Sequence, residues 1–269
     1  MALYSAEIVL GALYQAAFGR APDPGGFDHY SKILAEDSTA LLSVAADLFE
    51  SDEHRNCLNN KPAIIDHSQF GEFTMLVRQY VAASQRHGIV VDVGARGRER
   101  SNSYDLLINF GWKGLLIEAN PGLQEGILRD FAGTDITLLN FAIGTQNGSM
   151  PFYIGANDDV SSLLKDNAAA WGEVRREVEV EVKRLAPLLK QHSIPIDFDL
   201  LSLDIEGMDV LVLNDLIDNS EYRPLTVIIE ASFDYKTKAL SDVGSSELVQ
   251  RHYAITGQTD ANLILEFRP

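Results

Sequence analysis

Basic residues, cysteine and long apolar runs are scarce in this sequence, and each scarcity removes a class of function. Lysine and arginine number 22 against 39 aspartate and glutamate, for a net charge of −17 over 269 residues. The first sixty residues already hold nine acids against three bases, so the acidity is shared along the chain rather than confined to a tail. A surface of that sign repels polyanions. The clusters Arg96-Arg98-Arg100 and Arg175-Arg176 are too short to form the basic stripe that neutralises phosphates, so no nucleic-acid partner is expected. A single cysteine, Cys57, rules out an internal disulfide and a multi-cysteine metal site, and it reads as a small residue at a helix end. No run approaches the ~18 uninterrupted apolar residues of a membrane span. The opening MALYSAEIVL has no basic n-region and no cleavage site follows it, so the expectation is a soluble, cytoplasmic protein without membrane insertion.

With 46% hydrophobic residues the chain is long enough for one large α/β domain and a small companion. The first sixty residues read as helices only. Ile8, Leu10, Leu13, Tyr14 and Phe18 recur at helical spacing, GRAPDPGG interrupts as a rigid turn, and Phe27, Tyr30, Ile33 and Leu34 resume the pattern. A third helix is expected over 39–51, with Ser38 as its cap. Asn59-Asn60-Lys61-Pro62 marks the boundary, giving domains 1–60 and 61–269. An amphipathic helix over 66–85, with Phe70, Phe73, Val77, Tyr80 and Val81 on one face, would pack onto a sheet. Strands are expected over 89–93, 114–118, 136–140, 200–204, 227–230, 253–257 and 263–267, with helical patterns over 123–131, 184–192 and 210–216 between them. That alternation predicts an α/β fold: an open, mostly parallel, seven-stranded Rossmann-like sheet with helices on both faces, preceded by a small all-α domain.

The sharpest local signal is VVDVGARG at 90–97 followed by LLIEANP at 115–121. Glycine lets backbone approach a ligand where a Cβ would clash, and an acid about 20 residues further on can take two ribose hydroxyls. The turn residues Gly94, Ala95 and Gly97, with Glu118 as the acid, therefore describe a nucleotide-sized pocket. Asp92 and the missing third glycine argue against a diphosphate. A ligand with an ammonium and a sulfonium, as in S-adenosylmethionine, would be attracted instead. Asn140 and Phe141 either frame an adenine or serve as turn former and core. At the ends of later strands stand Asp204 and Glu206 in LLSLDIEG and Glu230 in VIIEA. Methyl transfer to an alcohol needs the hydroxyl proton removed, and a positioned carboxylate can take it: Asp204 or Glu206 is the candidate base, and Glu230 a supporting residue. The same three carboxylates are hard oxygen ligands that suit a divalent cation, and such clusters also arise simply at solvated strand ends. Between the third and fourth strands, a polar stretch with Ser161-Ser162 and Trp171 leads into the period-two run Val178, Val180, Val182, where substrate contacts are expected.

Taken in order, DVGARG, SNSYDLL, GWKGLLIEANP, NFAIG, Ser161-Ser162-Leu163, LLSLDIEGMD, RPLTVIIE and TDANLIL resemble the FkbM-type methyltransferases, from about Asp66 to the end. The resemblance implies a methyltransferase sheet, S-adenosylmethionine as cofactor and O-methylation of sugars and related products. It also implies cofactor contacts at Asp92, Gly94, Gly97, Glu118 and Ala142 and functional roles for Asp204, Glu206 and Gly207. Arg96 departs from a pattern in which many members have Asn, and is expected to point outward or toward Glu99. The first sixty residues resemble a small helical bacterial domain of uncharacterised function, through Arg20, Pro22, Asp23 and Gly26, and a protein-docking role is expected of them. The leading expectation is thus an O-methyltransferase acting on a sugar, glycan or glycosylated metabolite. An NAD(P)-dependent oxidoreductase would need a Tyr-x-x-x-Lys pair that the sequence lacks, and a non-catalytic cofactor- or glycan-binding protein would not need Asp204 and Glu206.

Overall fold

In the computed structural model the chain forms two compact units, Met1–Ile64 and Ile65–Pro269. The structure describes residues 6–18, 21–55, 66–76, 88–156, 161–170, 172–230 and 246–269. Arg20, Cys57, the 59–62 boundary, Val77, Tyr80, Val81 and Trp171 lie outside these described residues.

The first unit is a helical cluster of α1 (Ala6–Phe18), α2 (Pro24–Glu36) and α3 (Leu41–Phe49), the last entered through a 3-10 turn at Ser38–Ala40. Asp23 starts α2: its carboxylate accepts from the Gly26 N–H at 2.9 Å, and Pro24 takes a first-turn position where no N–H is needed. Leu10, Tyr14 and Ala17 of α1 pack on Val44 and Leu48 of α3. Ser38, expected as the cap of α3, lies inside the 3-10 turn; α3 itself starts after Ala40 with no side-chain cap, and Asp37 caps the 3-10 turn. The Asp37 carboxylate accepts from both the N–H and the hydroxyl of Thr39.

The second unit is built on a seven-stranded sheet in the order β3-β2-β1-β7-β8-β10-β9. Its strands are β1 (Ile89–Val93), β2 (Lys113–Ile117), β3 (Asp135–Leu139), β7 (Leu200–Leu203), β8 (Thr226–Glu230), β9 (Tyr253–Gln258) and β10 (Asn262–Phe267). The first five in space are parallel, and β10 runs antiparallel to both β8 and β9. IVVDV, LLSL and TVIIE read as near-continuous apolar runs because both faces are covered. On one face Val91, Val93, Leu201 and Leu203 meet α7 (Leu185–Gln191), α8 (Asp209–Asp218) and α9 (Glu247–His252). On the other, Val90, Leu200 and Ile228 meet α4 (Tyr104–Phe110), α5 (Gln124–Asp130), Phe73 and Leu76. The expected helix from residue 66 begins later, at 72; Phe70 stays 39% exposed while Phe73 is buried. Residues 66–71 are turns because the Asp66 carboxylate captures Ser68 and, from in front of the helix, the N–H and hydroxyl of Thr74.

A second, three-stranded sheet escaped the sequence reading. It has the order β4-β6-β5 and comprises β4 (Ala142–Ile143), β5 (Gly148–Ile154) and β6 (Arg176–Lys183). The period-two valines belong to β6, where Val180 and Val182 pack against Ala142 and Phe152. No helix among the described residues is long and apolar enough to cross a membrane.

The sheet reverses direction of winding at β1, whose neighbours are β2 on one side and β7 on the other, and a crevice opens at their carboxyl ends. The closest approach there is at Gly94, where φ is +85° and an added Cβ would lie 1.8 Å from the Asp204 carbonyl oxygen. Gly94→Ala therefore combines backbone strain with overpacking, and should cost on the order of 3 kcal/mol or more in urea denaturation. Gly148→Ala, with nothing within 4 Å of the new methyl, should unfold near the wild-type midpoint; equal behaviour of the two variants would contradict this account of the β1–β7 contact.

Candidate functional site

Local hydrogen bonds bring the carboxyl ends of three parallel strands together. The N–H groups of Gly94 and Ala95 both donate to the Ile117 carbonyl, and the Asp204 N–H donates to the Val93 carbonyl, so the β1 turn is tied to β2 and β7 at once. Between them lies a cleft of about 610 Å³, its open mouth included. Of the residues singled out from the sequence, Gly94, Glu118, Ala142, Asp204 and Glu206 line it, together with Phe141 and Ser161.

The remaining candidates stand behind this lining. Ala95 is fully buried in the core beside Leu106 and Phe131. Gly97 packs on α5, where an added Cβ would meet the Asp130 carboxylate at 2.3 Å. The two glycines of the turn are thus demanded by protein contacts. Asp92, 3% exposed, accepts from the Ser103 hydroxyl at 2.5 Å and is paired in register with Ser202. Burial pushes its carboxyl above the usual range, while the Ser103 and Ser202 hydroxyls act in the opposite sense. Asn140 spends its amide on the Glu118 and Ala119 carbonyls, at 2.7 and 3.1 Å, and so shapes the loop after β2 while its neighbour Phe141 faces the cleft.

Glu118 is 7% exposed and accepts from the Asn120 N–H at 2.5 Å. Burial raises it to about 8, with the Asn120 N–H and the Arg96 guanidinium pulling the other way. Arg96 lines the cleft, contrary to the expectation that it points outward or toward Glu99. The guanidinium on Glu99 is that of Arg98, at 2.9 Å. The charge of Arg96 acts on both Glu118 and Asp204, lowering the proton affinity of each.

Opposite Glu118, the turn after β7 holds Glu206 in a left-handed conformation, φ +55°. A non-glycine residue keeps that conformation only when its surroundings over-determine it. Here they do: the Asp209 carboxylate accepts from the N–H groups of Ile205 and Gly207, at 2.9 and 3.0 Å. The Glu206 carbonyl in turn accepts from the Ser162 hydroxyl and from the amide of Asn167 in α6 (Lys165–Ala168), both at 2.9 Å. Ser162 is therefore a positioning residue for this turn, while Ser161 reaches the cleft. Sequence reasoning missed Asp209 and Asn167, although an acid in the first turn of α8 was a visible signal for the former.

Glu230, at the end of β8, completes the constellation. One carboxylate oxygen each from Asp204, Glu206 and Glu230 lies within 4.8 Å of the others. Burial, then Asp209 and Asp92, raise Asp204 to about 7; burial, then Asp204, Glu206 and Asp209, raise Glu230 to about 11. A further buried acid, Glu72, also unforeseen, accepts from the Thr259 hydroxyl, the Asn262 amide and the Phe70 N–H, and its charge reaches Asp204.

Residues 92–253, which carry Glu118, Asp204, Glu206 and Glu230, match the family described as Methyltransferase FkbM domain. The chain belongs to the FkbM methyltransferase family. No curated protein matches it. In this methyltransferase the family match begins at Asp92 and covers β1 from that residue onward, the cleft and the small sheet.

Glu118, Asp204 and Glu230 all have folded-state affinities for protons raised above their ordinary ones. The folded chain thus binds more protons than the unfolded chain from about pH 4 up to about 8 at Glu118 and up to about 11 at Glu230, and stability falls as pH rises through that window. For Glu118 the shift from 4.5 to about 8 corresponds to a few kcal/mol, on the order of magnitude set by about 1.4 kcal/mol per unit. Urea midpoints should therefore be lower at pH 8.5 than at pH 5.5, with a shallower decline in Glu118→Gln; identical slopes would remove Glu118 from the cause.

Proposed function

We propose that this methyltransferase transfers the methyl group of S-adenosylmethionine to a hydroxyl of a sugar, glycan or glycosylated metabolite. The observation that carries the reading is the pairing across one cleft of a buried acid at the end of β2, Glu118, with the Asp204–Glu206 turn at the end of β7. Glu118 takes the ribose hydroxyls, since its carboxyl offers acceptor oxygens to O–H donors, and in the protonated form one O–H to donate in return. Phe141 and Ala142 form the apolar wall for the adenine. Arg96 takes the cofactor's carboxylate, a geometry its planar fork favours. Asp92, behind the lining, braces the β1–β7 edge.

The chemistry is an in-line displacement. The acceptor oxygen forms its bond to the methyl carbon as the carbon–sulfur bond breaks, leaving S-adenosylhomocysteine, and the hydroxyl proton passes to a carboxylate of Asp204 or Glu206. Burial supports this assignment, because a carboxyl raised to about 7 takes a proton near neutrality more readily than a solvated one. A diphosphate would instead face Glu118, Asp204 and Glu206 together, which disfavours a nicotinamide cofactor. For the helical unit we propose a docking role toward a protein partner; Leu42, 83% exposed, and Ile8, 59% exposed, are apolar groups it presents.

Calorimetric titration with S-adenosylhomocysteine, run beside NADH, tests the reading without knowledge of the acceptor. Glu118→Ala should bind the first ligand about 10-fold to 100-fold more weakly, the loss of charged hydrogen bonds, and NADH should not bind to wild type. Affinity unchanged in the variant would remove the ribose assignment. Glu206→Ala should retain S-adenosylhomocysteine binding and lose on the order of 100-fold or more in methyl transfer from labelled cofactor to sugar acceptors. Unimpaired turnover would exclude Glu206 from the reaction.

A further inference from the structure

We propose that Asp204, Glu206 and Glu230, with the side-chain carbonyl of Asn262 as a fourth oxygen, bind one divalent cation of the oxygen-seeking kind, Mg²⁺, Mn²⁺ or Ca²⁺. Its part in methyl transfer rests on the function proposed above; its existence does not.

The argument starts from spacing. Three carboxylate oxygens within 4.8 Å of one another fit around a single ion whose oxygens sit about 2.0–2.6 Å from its centre, because ligands on opposite sides are then about 4–5 Å apart. Like charges this close in a partly desolvated crevice repel strongly. The charged groups that act on Glu230 are Asp204, Glu206 and Asp209, all acids.

A carboxylate cluster alone is common at strand ends. The second observation is Asn262, on a strand of opposite direction. It lies directly across from Glu230 in the β8–β10 ladder, so the two side chains leave the same face of the sheet with Cβ atoms about 5 Å apart. Asn262 is 4% exposed, and its Oδ1 has no hydrogen-bond partner. The amide cannot simply be turned over, because its Nδ2 donates at 2.9 Å to Glu72, a carboxylate that also accepts from the Thr259 hydroxyl. Its carbonyl is left as a buried acceptor without a donor, on the residue paired across the ladder from Glu230. An acceptor buried in this way is costly unless something positive meets it. Three carboxylates and one amide carbonyl are all hard oxygen donors, the set that Mg²⁺ and Ca²⁺ take. Four protein oxygens leave positions for water and for an acceptor hydroxyl, whose O–H bond the ion would polarise. The competing account is a proton shared between Glu230 and the Asn262 carbonyl, which needs no ion.

Titration of the full chain with Mn²⁺, followed by electron paramagnetic resonance in the absence of any cofactor, separates the two. Its outcome is therefore independent of whether the cleft binds S-adenosylmethionine. One Mn²⁺ should bind per chain and be displaced by Mg²⁺ or Ca²⁺. Glu230→Gln and Glu206→Gln should each weaken Mn²⁺ at least 10-fold, while Glu247→Gln, at an exposed side chain of α9, behaves as wild type. Asn262→Leu should also weaken it; unchanged affinity there would reduce Asn262 to a hydrogen-bond partner of Glu72 and overturn its place as ligand. Circular dichroism checks that each variant is folded, and in wild type the thermal midpoint should rise with millimolar Mg²⁺ beyond the effect of KCl at equal ionic strength. Absence of saturable Mn²⁺ binding, or binding retained in both carboxylate variants, overturns the site and favours the shared proton.

Discussion

The contact between Gly94 and the Asp204 carbonyl is the constraint on which the site depends. The two residues end adjacent parallel strands, and the backbones approach so closely that no side chain fits between them. That approach lets the Asp204 N–H close the ladder onto Val93 while the Gly94 and Ala95 N–H groups reach Ile117. Three strand ends are thereby locked in one register, and Glu118, Asp204 and Glu206 are carried to opposite walls of one cleft. A glycine that reads as a ligand-approach residue is thus first a strand-packing residue, and the cleft exists because of that packing.

Electrostatics then give the cleft its character. Asp92, Glu118, Asp204, Asp209 and Glu230 are gathered toward the carboxyl ends of the parallel strands, where burial works against their charged forms. Two different solutions are used. Asp209 and Glu72 are saturated with hydrogen bonds and serve as structural anchors for loops. Glu118, Asp204 and Glu206 face the cleft beside Arg96, where a cationic ligand would compensate them. The division follows from place: the first two have neighbouring N–H, hydroxyl or amide donors, and the others end strands that open onto solvent-sized space.

The parallel core was legible because its strands are buried on both faces, so IVVDV, LLSL and TVIIE stand out without any knowledge of pairing, and their bounds in the structure fall within about two residues of those expected. The small sheet was not legible in full. β4 has two residues, and β5 contains Gly148 and Pro151 with mixed exposure, so neither carries a periodic signal; only β6, with alternating valines, does. Local chemistry also misled at Ser38, because a 3-10 turn capped by Asp37 intervenes before α3 begins. The family-like acids Glu118, Asp204 and Glu206 could be picked out from their positions at strand ends, whereas Asn167, Glu72 and Asn262 could not, each acting on residues 39 to 190 positions away.

By itself the sequence determined the class of fold, the identity of the strand-end acids and, through their ordered motifs, the family, because burial pattern and turn chemistry are local properties of the chain. Tertiary structure alone decided which acids share a space and which are spent as anchors. It turned Arg96 inward, set Ser162 and Asn167 on the Glu206 carbonyl, and brought Asn262 of an antiparallel strand opposite Glu230. The physical reason is that strand order and register are collective: they are set by packing over the whole sheet, and no window of sequence contains both members of such a pair.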